Sequence, residues 1–114
     1  MITRMAIFEG TVKPGLESAM RQHVDTHLRP LWRQFAGAEE VRVYYGSQQD
    51  PGGPVIPLIL AITYADADAM ERGLASPARY ESRDLLAEFY ERFFDSVRLY
   101  HYVLDQDSFR PRPD

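Results

Sequence analysis

Three histidines, His23, His27 and His101, are the side chains of this 114-residue chain best suited to moving a proton near neutral pH or holding a metal. At about 100° per residue, His27 falls between Leu16 and Leu31 on a helical wheel, inside an apolar stripe. An imidazole there is half desolvated. Its pKa drops below about 6.5, leaving it neutral at pH 7 as a general base toward a phenol or an activated C–H. The plainer role is structural: His27 would hydrogen-bond a tyrosine or the carbonyl of Thr26 and fill space. His23 lies one turn earlier, and two histidines at i, i+4 have the spacing of a metal chelate. A third ligand is missing, because there is no H-E-x-x-H arrangement and no cysteine, so no metal is expected. His101 shares a strand face with Leu99 and Val103. Alternation leaves open whether that face turns toward the helices, where it would partner His27, or away from them.

The seven tyrosines supply a second kind of chemistry. Tyr44, Tyr45, Tyr64, Tyr100 and Tyr102 all fall on or beside predicted strands, where aromatic rings pack well in any case. Together they offer apolar walls and a few hydroxyl donors, which suits a flat phenolic ligand. His27 and His101 are thus the expected catalytic pair, and Tyr44, Tyr64, Tyr102, Trp32 and His23 the expected substrate-binding set. Trp32 serves as a lid, a dimer contact or ordinary packing. No G-x-S-x-G elbow, Walker lysine loop or G-x-G-x-x-G is present, and Gly52-Gly53 reads as a hairpin loop.

The elements that must position these groups follow from the changes of period. The run MAIFEGTV over 5–12 is a strand, with Met5, Ile7 and Glu9 on one face and Ala6, Phe8 and Val12 on the other. Pro14 and Gly15 break it, and a helix over 15–35 carries Leu16, Met20, Val24, Leu28 and Leu31 opposite Glu17, Arg21, Asp25 and Arg29. Pro30 cannot donate to the carbonyl of Thr26, which predicts a kink near Arg29. Gly37 ends that segment. EVRVYYG over 40–46 alternates as a half-exposed edge strand, SQQDPGGP is a loop, and IPLILAITY over 56–64 is the most apolar strand. Asp66 or Asp68 caps a short helix through Leu74, and Ser76-Pro77 starts another bearing Leu85, Leu86, Phe89, Tyr90 and Phe93. A last strand holds Val97 to Leu104. The order βαββαβ predicts an α+β, ferredoxin-like domain over 1–105 with a four-stranded antiparallel sheet, followed by an extended tail over 106–114. Helices cover one side of such a sheet, yet the first and third strands are apolar on both. A second copy of the sheet is the expected cover, giving a homodimer through the sheet faces.

Composition narrows the classes further. Thirteen basic and seventeen acidic residues give a net charge of −4 with the signs interspersed, which disfavours nucleic acid. The one basic cluster, Arg110 with Arg112, sits in the proline-rich tail. The longest apolar run, 54–62, falls far short of the ~20 residues a membrane span needs. The start MITRMAIFEG has no long apolar stretch or small-residue cleavage site, so a cytoplasmic protein is expected. Zero cysteines exclude disulfides and thiol chemistry.

Two stretches carry a family resemblance: HLRPLWRQFAGAEEVRVYYG from His27, and YADADAMERGLASPARYESRDLLAEFYERFF from Tyr64. The chain resembles the dimeric α/β-barrel superfamily and, within it, the EthD-like group. The resemblance implies a homodimer with a pocket in each subunit between sheet and helices, and relatives that act on aromatic or polyketide-like molecules, commonly without a metal. Some superfamily members bind haem through a histidine on the last helix. The segment 78–94 has none, so no haem and no other cofactor is expected. The functional expectation is a small aromatic or polyketide-like ligand undergoing cofactor-free acid/base chemistry such as cyclisation, dehydration or isomerisation. The alternatives are a non-catalytic binding or accessory protein of a degradation pathway, and a cofactor-free monooxygenase of the antibiotic-biosynthesis type.

Overall fold

A computed structural model describes residues 1–113. Strand β1 (Ile2–Val12) is followed by α1 (Glu17–His23), a π-helical turn (Val24–Leu28) and α2 (Arg29–Trp32). Then come β2 (Ala38–Tyr45), β3 (Leu58–Tyr64), α3 (Ala67–Leu74), α4 (Pro77–Asp84), α5 (Leu86–Phe93) and β4 (Phe94–Asp105). The strands pair antiparallel in the order β2-β3-β1-β4, so the two doubly apolar strands are central, as a βαββαβ chain requires.

Several boundaries differ from the sequence reading: β2 is Ala38–Tyr45 rather than 40–46, β4 starts at Phe94 rather than Val97, and the helix expected from Ser76-Pro77 through Phe93 is two, α4 and α5. β1 begins at Ile2 rather than Met5, because β4 runs twelve residues and pairs with it as far as Ile2↔Asp105. β3 begins at Leu58, just after Pro57, whose missing N–H cannot join a ladder. The helix over 15–35 is three pieces rather than one kinked rod. Pro30 lacks a donor and its ring crowds the preceding carbonyls, and the turn before it widens so that the Arg29 N–H reaches the Val24 carbonyl five residues back. The wider turn keeps Met20, Val24, Leu28 and Trp32, each four residues apart, buried against the sheet.

Register sorts the side chains into two faces. Arg4, Ala6 and Phe8 lie level with Ile62, Leu60 and Leu58 on one side and with Val103, His101 and Leu99 on the other, all toward the helices. Phe89 is the hub of that interior: it is fully buried, 6.4 Å from Phe8 and 5.2 Å from Phe94, edge-on to both. The opposite face carries Met5, Ile7, Ile59, Tyr44, Tyr100, Tyr102 and Leu104, and Tyr102 is 52% exposed in the single chain. At one corner of that face the Thr3 and Thr63 hydroxyls hydrogen-bond each other at 2.8 Å, and the Gln106 side chain joins them. Residues 107–113 carry no helix or strand.

The turns are held by specific contacts. Asp66 caps α3 by accepting from the Ala69 N–H at 2.9 Å. Ser76 instead accepts from the Ala36 N–H at 2.8 Å, tying the turn before β2 to the turn before α4. Gly37, with φ +74°, is the left-handed residue that lets the chain leave α2 and enter β2. Gly73 has no room for a side chain: a Cβ there would lie 2.7 Å from the Tyr64 ring and 2.9 Å from the Ala36 carbonyl oxygen.

Candidate functional site

Ala6 is where the interior is left incomplete. Its methyl sits between the longer Arg4 and Phe8 on a central strand, level with Leu60 and His101 on the neighbouring strands. Above it lies a cavity of about 120 Å³. Its floor is Arg4, Ala6 and Phe8 from β1, Leu60 from β3 and Leu99 and His101 from β4. Its roof is Trp32 and Phe35 beyond α2, Arg79, Ser82 and Arg83 of α4, and Leu86 of α5. The Ala36–Ser76 hydrogen bond anchors the segment that carries Phe35 to the start of the helix that carries Arg79 and Arg83. The Ser82 hydroxyl is spent within α4, donating to the Arg79 carbonyl at 2.8 Å.

The electrostatics are one-sided. Among the described residues no acidic side chain lines the cavity, and the ion pairs engage Arg29, Arg42 and Arg92, never Arg4, Arg79 or Arg83. Burial lowers the Arg4 pKa, and the neighbouring charge of Arg79 lowers it further. His101 lies on an edge strand with one side open to water. Desolvation over the cavity, then the charges of Arg4 and Arg79, bring its pKa down to about 4. It is therefore neutral at pH 7, with a free lone pair facing a positive field. Tyr64, fully buried at the end of β3, has its pKa raised by desolvation against the opposing pull of Arg4 and Arg79. Its hydroxyl has no hydrogen-bond partner among the described residues.

Of the residues expected from sequence, His101 and Trp32 meet at this cavity, and the others do not. His27 is exposed and points away from the sheet. The wheel that placed it in the apolar stripe assumed an uninterrupted α-helix. In the widened turn Leu28, not His27, takes the inward position. His27 and His23 instead share an outer depression with Arg92 and Phe93, their ring centres 4.6 Å apart. His23 stacks on Phe89 at 5.6 Å, and its pKa is lowered by desolvation and then by His27 and Arg92. Tyr44 and Tyr102 lie on the face away from the helices, since their partners Ile59 and Met5 point that way. Tyr44 accepts a hydrogen bond from Arg42 at 3.0 Å, and Tyr102 packs edge-on against Tyr100. Tyr64 packs beneath Gly73 and is not part of the cavity wall.

Sequence reasoning missed the three arginines. Arg4 was hidden by starting the strand at Met5. Carried back to Ile2, the alternation places a cation on the same face as Ala6 and Phe8. Arg79 and Arg83, at i, i+4, share one face of α4. Among the described residues no cluster of three or more histidine, cysteine or acidic side chains gathers to hold a metal. No helix among them is long and apolar enough to cross a membrane.

No protein-family model and no curated protein matches the chain. Solved structures do match. An ethyl tert-butyl ether d (EthD) family protein from Bacillus halodurans superposes with a TM-score of 0.69 at 17% identity, over 94% of this chain and 99% of that one. A protein assigned as an antibiotic biosynthesis monooxygenase from Deinococcus radiodurans gives 0.62 at 17% identity, over 99% and 100%. SnoaB, a cofactor-independent oxygenase from Streptomyces nogalater, gives 0.60 at 14% identity, over 97% of each chain. At such identities the likeness speaks for the fold. The four-stranded sheet, its order and the helices on one side of it make this chain an α+β protein with the ferredoxin-like fold of the dimeric α/β barrels, in the form seen in EthD family and antibiotic biosynthesis monooxygenase structures.

Proposed function

We propose that the chain binds a small aromatic or polyketide-like molecule over Ala6 and transfers a proton from it to His101 without a cofactor. The observation that carries this reading is a neutral, half-exposed imidazole beside guanidinium groups in an otherwise apolar, aromatic-walled cavity. A base of pKa about 4 is weak, and alone it would take few protons at pH 7. The same positive charges that weaken it also stabilise an enolate or phenolate, lowering the pKa of the bound substrate's proton in parallel. The proton moves from substrate carbon or oxygen to the His101 ring, and the anion left behind faces Arg4 and Arg79. His27, facing water outside the cavity, has no part in this step.

Benzoylacetate is a suitable probe, combining a phenyl ring, an acidic C2–H and a polyketide-like 1,3-dicarbonyl. In D₂O the protein is expected to speed loss of the C2 proton signal above the buffer rate. An unchanged rate would refute the proton-transfer reading. The likeness of fold to SnoaB supports a second reading, in which dioxygen consumes the same anion. Oxygen uptake during turnover distinguishes the two.

The partner in this account is a second copy. A sheet face bearing Met5, Ile7, Ile59, Tyr100 and Tyr102 is more apolar than a stable solvent-facing surface, and a second copy of the same face is the cover that would shield it. Light scattering is expected to give twice the chain mass, and Ile7→Asp to halve it by placing a charge amid that surface. A wild-type chain that scatters as a monomer at micromolar concentration would contradict the pairing.

A further inference from the structure

We infer that the ligand of this cavity is an aromatic carboxylate, with its acid group held by Arg4 and Arg79 and its ring against Trp32 and Phe35. The inference rests on the site proposed above and names the substrate class that the site selects.

The argument begins with placement. Arg4 projects from a central strand, between the levels of Ile62 and Val103, into an interior otherwise built of apolar side chains. Arg79 reaches the same space from α4 above. Two cations converge on one small cavity, yet no carboxylate of the described residues lies within ion-pairing distance of either. The one hydrogen bond Arg79 makes through its guanidinium is to the Leu74 carbonyl, at 3.3 Å, which leaves its charge uncompensated. Arg4 makes no side-chain hydrogen bond among the described residues. Partly buried like charges facing each other repel, and a shared anion relieves that repulsion. Burial is the largest cause of the lowered Arg4 pKa, and the facing charge of Arg79 is the next.

Shape and company favour a carboxylate over a larger anion. Guanidinium groups grip a carboxylate through paired N–H donors, and a cavity of about 120 Å³ has room for little more than a single ring system at an open mouth. Trp32 and Phe35 provide the flat apolar wall that a ring needs. Arg83 stands one turn from Arg79, and the two guanidiniums lie 5.1 and 5.5 Å from the Tyr80 ring centre, adding positive charge on the α4 side. A cationic ligand would meet no acidic side chain among the described residues that line the cavity.

The test compares benzoylacetate with benzoylacetamide, its neutral amide, by calorimetry and by the shifts of backbone amide signals around Ala6. The acid is expected to bind about tenfold to a hundredfold more tightly, the range of charge-assisted hydrogen bonds. Arg79→Gln should erase that preference, and Arg29→Gln, at a surface ion pair, should leave it intact. The comparison of the two ligands on the wild-type chain needs no variant to fold. If the amide binds as tightly as the acid, or Arg79→Gln keeps the preference, the carboxylate inference falls while the cavity and its proton transfer stand. If neither compound shifts signals at the cavity, the site itself is wrong and both readings fall together.

Discussion

His101→Ala is expected to slow exchange of the benzoylacetate C2 proton by about 10²- to 10⁴-fold, the usual contribution of a positioned general base. His27→Ala is expected to leave the rate unchanged. The contrast follows from placement: His101 forms part of the cavity floor at the level of Ala6, and His27 lies outside the cavity on the far side of the helical layer. The pH dependence carries the same signature. A base must be unprotonated to work, so kcat/KM for exchange should rise as pH climbs through about 4 and stay level from there to neutrality. A rate that climbs instead through pH 6 to 7 would assign the work to an ordinary, solvated imidazole. The lowered pKa has a physical origin that a variant can reach. Desolvation is its largest cause and the arginine charges come next, so Arg79→Gln should move the acid limb upward without removing it.

Phe89→Ala should lower folding free energy by about 3–5 kcal/mol, the cost of deleting a fully buried aromatic ring and leaving a cavity. Urea denaturation with unchanged slope measures it. Phe89 is where α5, β1, β4 and the first helix meet: it touches Phe8, Phe93 and Phe94, and His23 stacks on it from outside. Because α5, which carries Leu86 of the cavity roof, is anchored by this contact, that side of the roof depends on it. A loss below about 1 kcal/mol would mean that the helical layer is held elsewhere, since surface substitutions fall in that range.

Much of the architecture was legible because it depends on period. The apolar run over 56–64 and the three- and four-residue steps from Leu16 to Leu31 each demand one kind of element, and their order leaves one sheet topology. The site was harder to read, for two reasons. A helical wheel assumes constant turn, and Pro30 breaks that assumption within one turn of His27, rotating the histidine out while Leu28 stays in. Strand alternation fixes which residues share a face without saying which face meets the helices. Tyr44 and Tyr102 were therefore grouped with residues they oppose, and His101 was left undecided. The arginines were missed for a third reason. A cation in an apolar stripe reads as the end of a strand, and only the pairing of Arg4 with Ile62 and Val103 shows that the strand continues through it.

The most direct test is to follow the ring nitrogens of all three histidines by long-range ¹H–¹⁵N correlation across pH 3 to 8, first alone and then with saturating benzoylacetate. The account predicts that the His101 ring titrates near 4 in the free protein and shifts upward when the anion sits beside it, while the His27 signals do not respond to the ligand. A His101 that titrates near 6.5 and ignores the ligand, with His27 moving in its place, would contradict it.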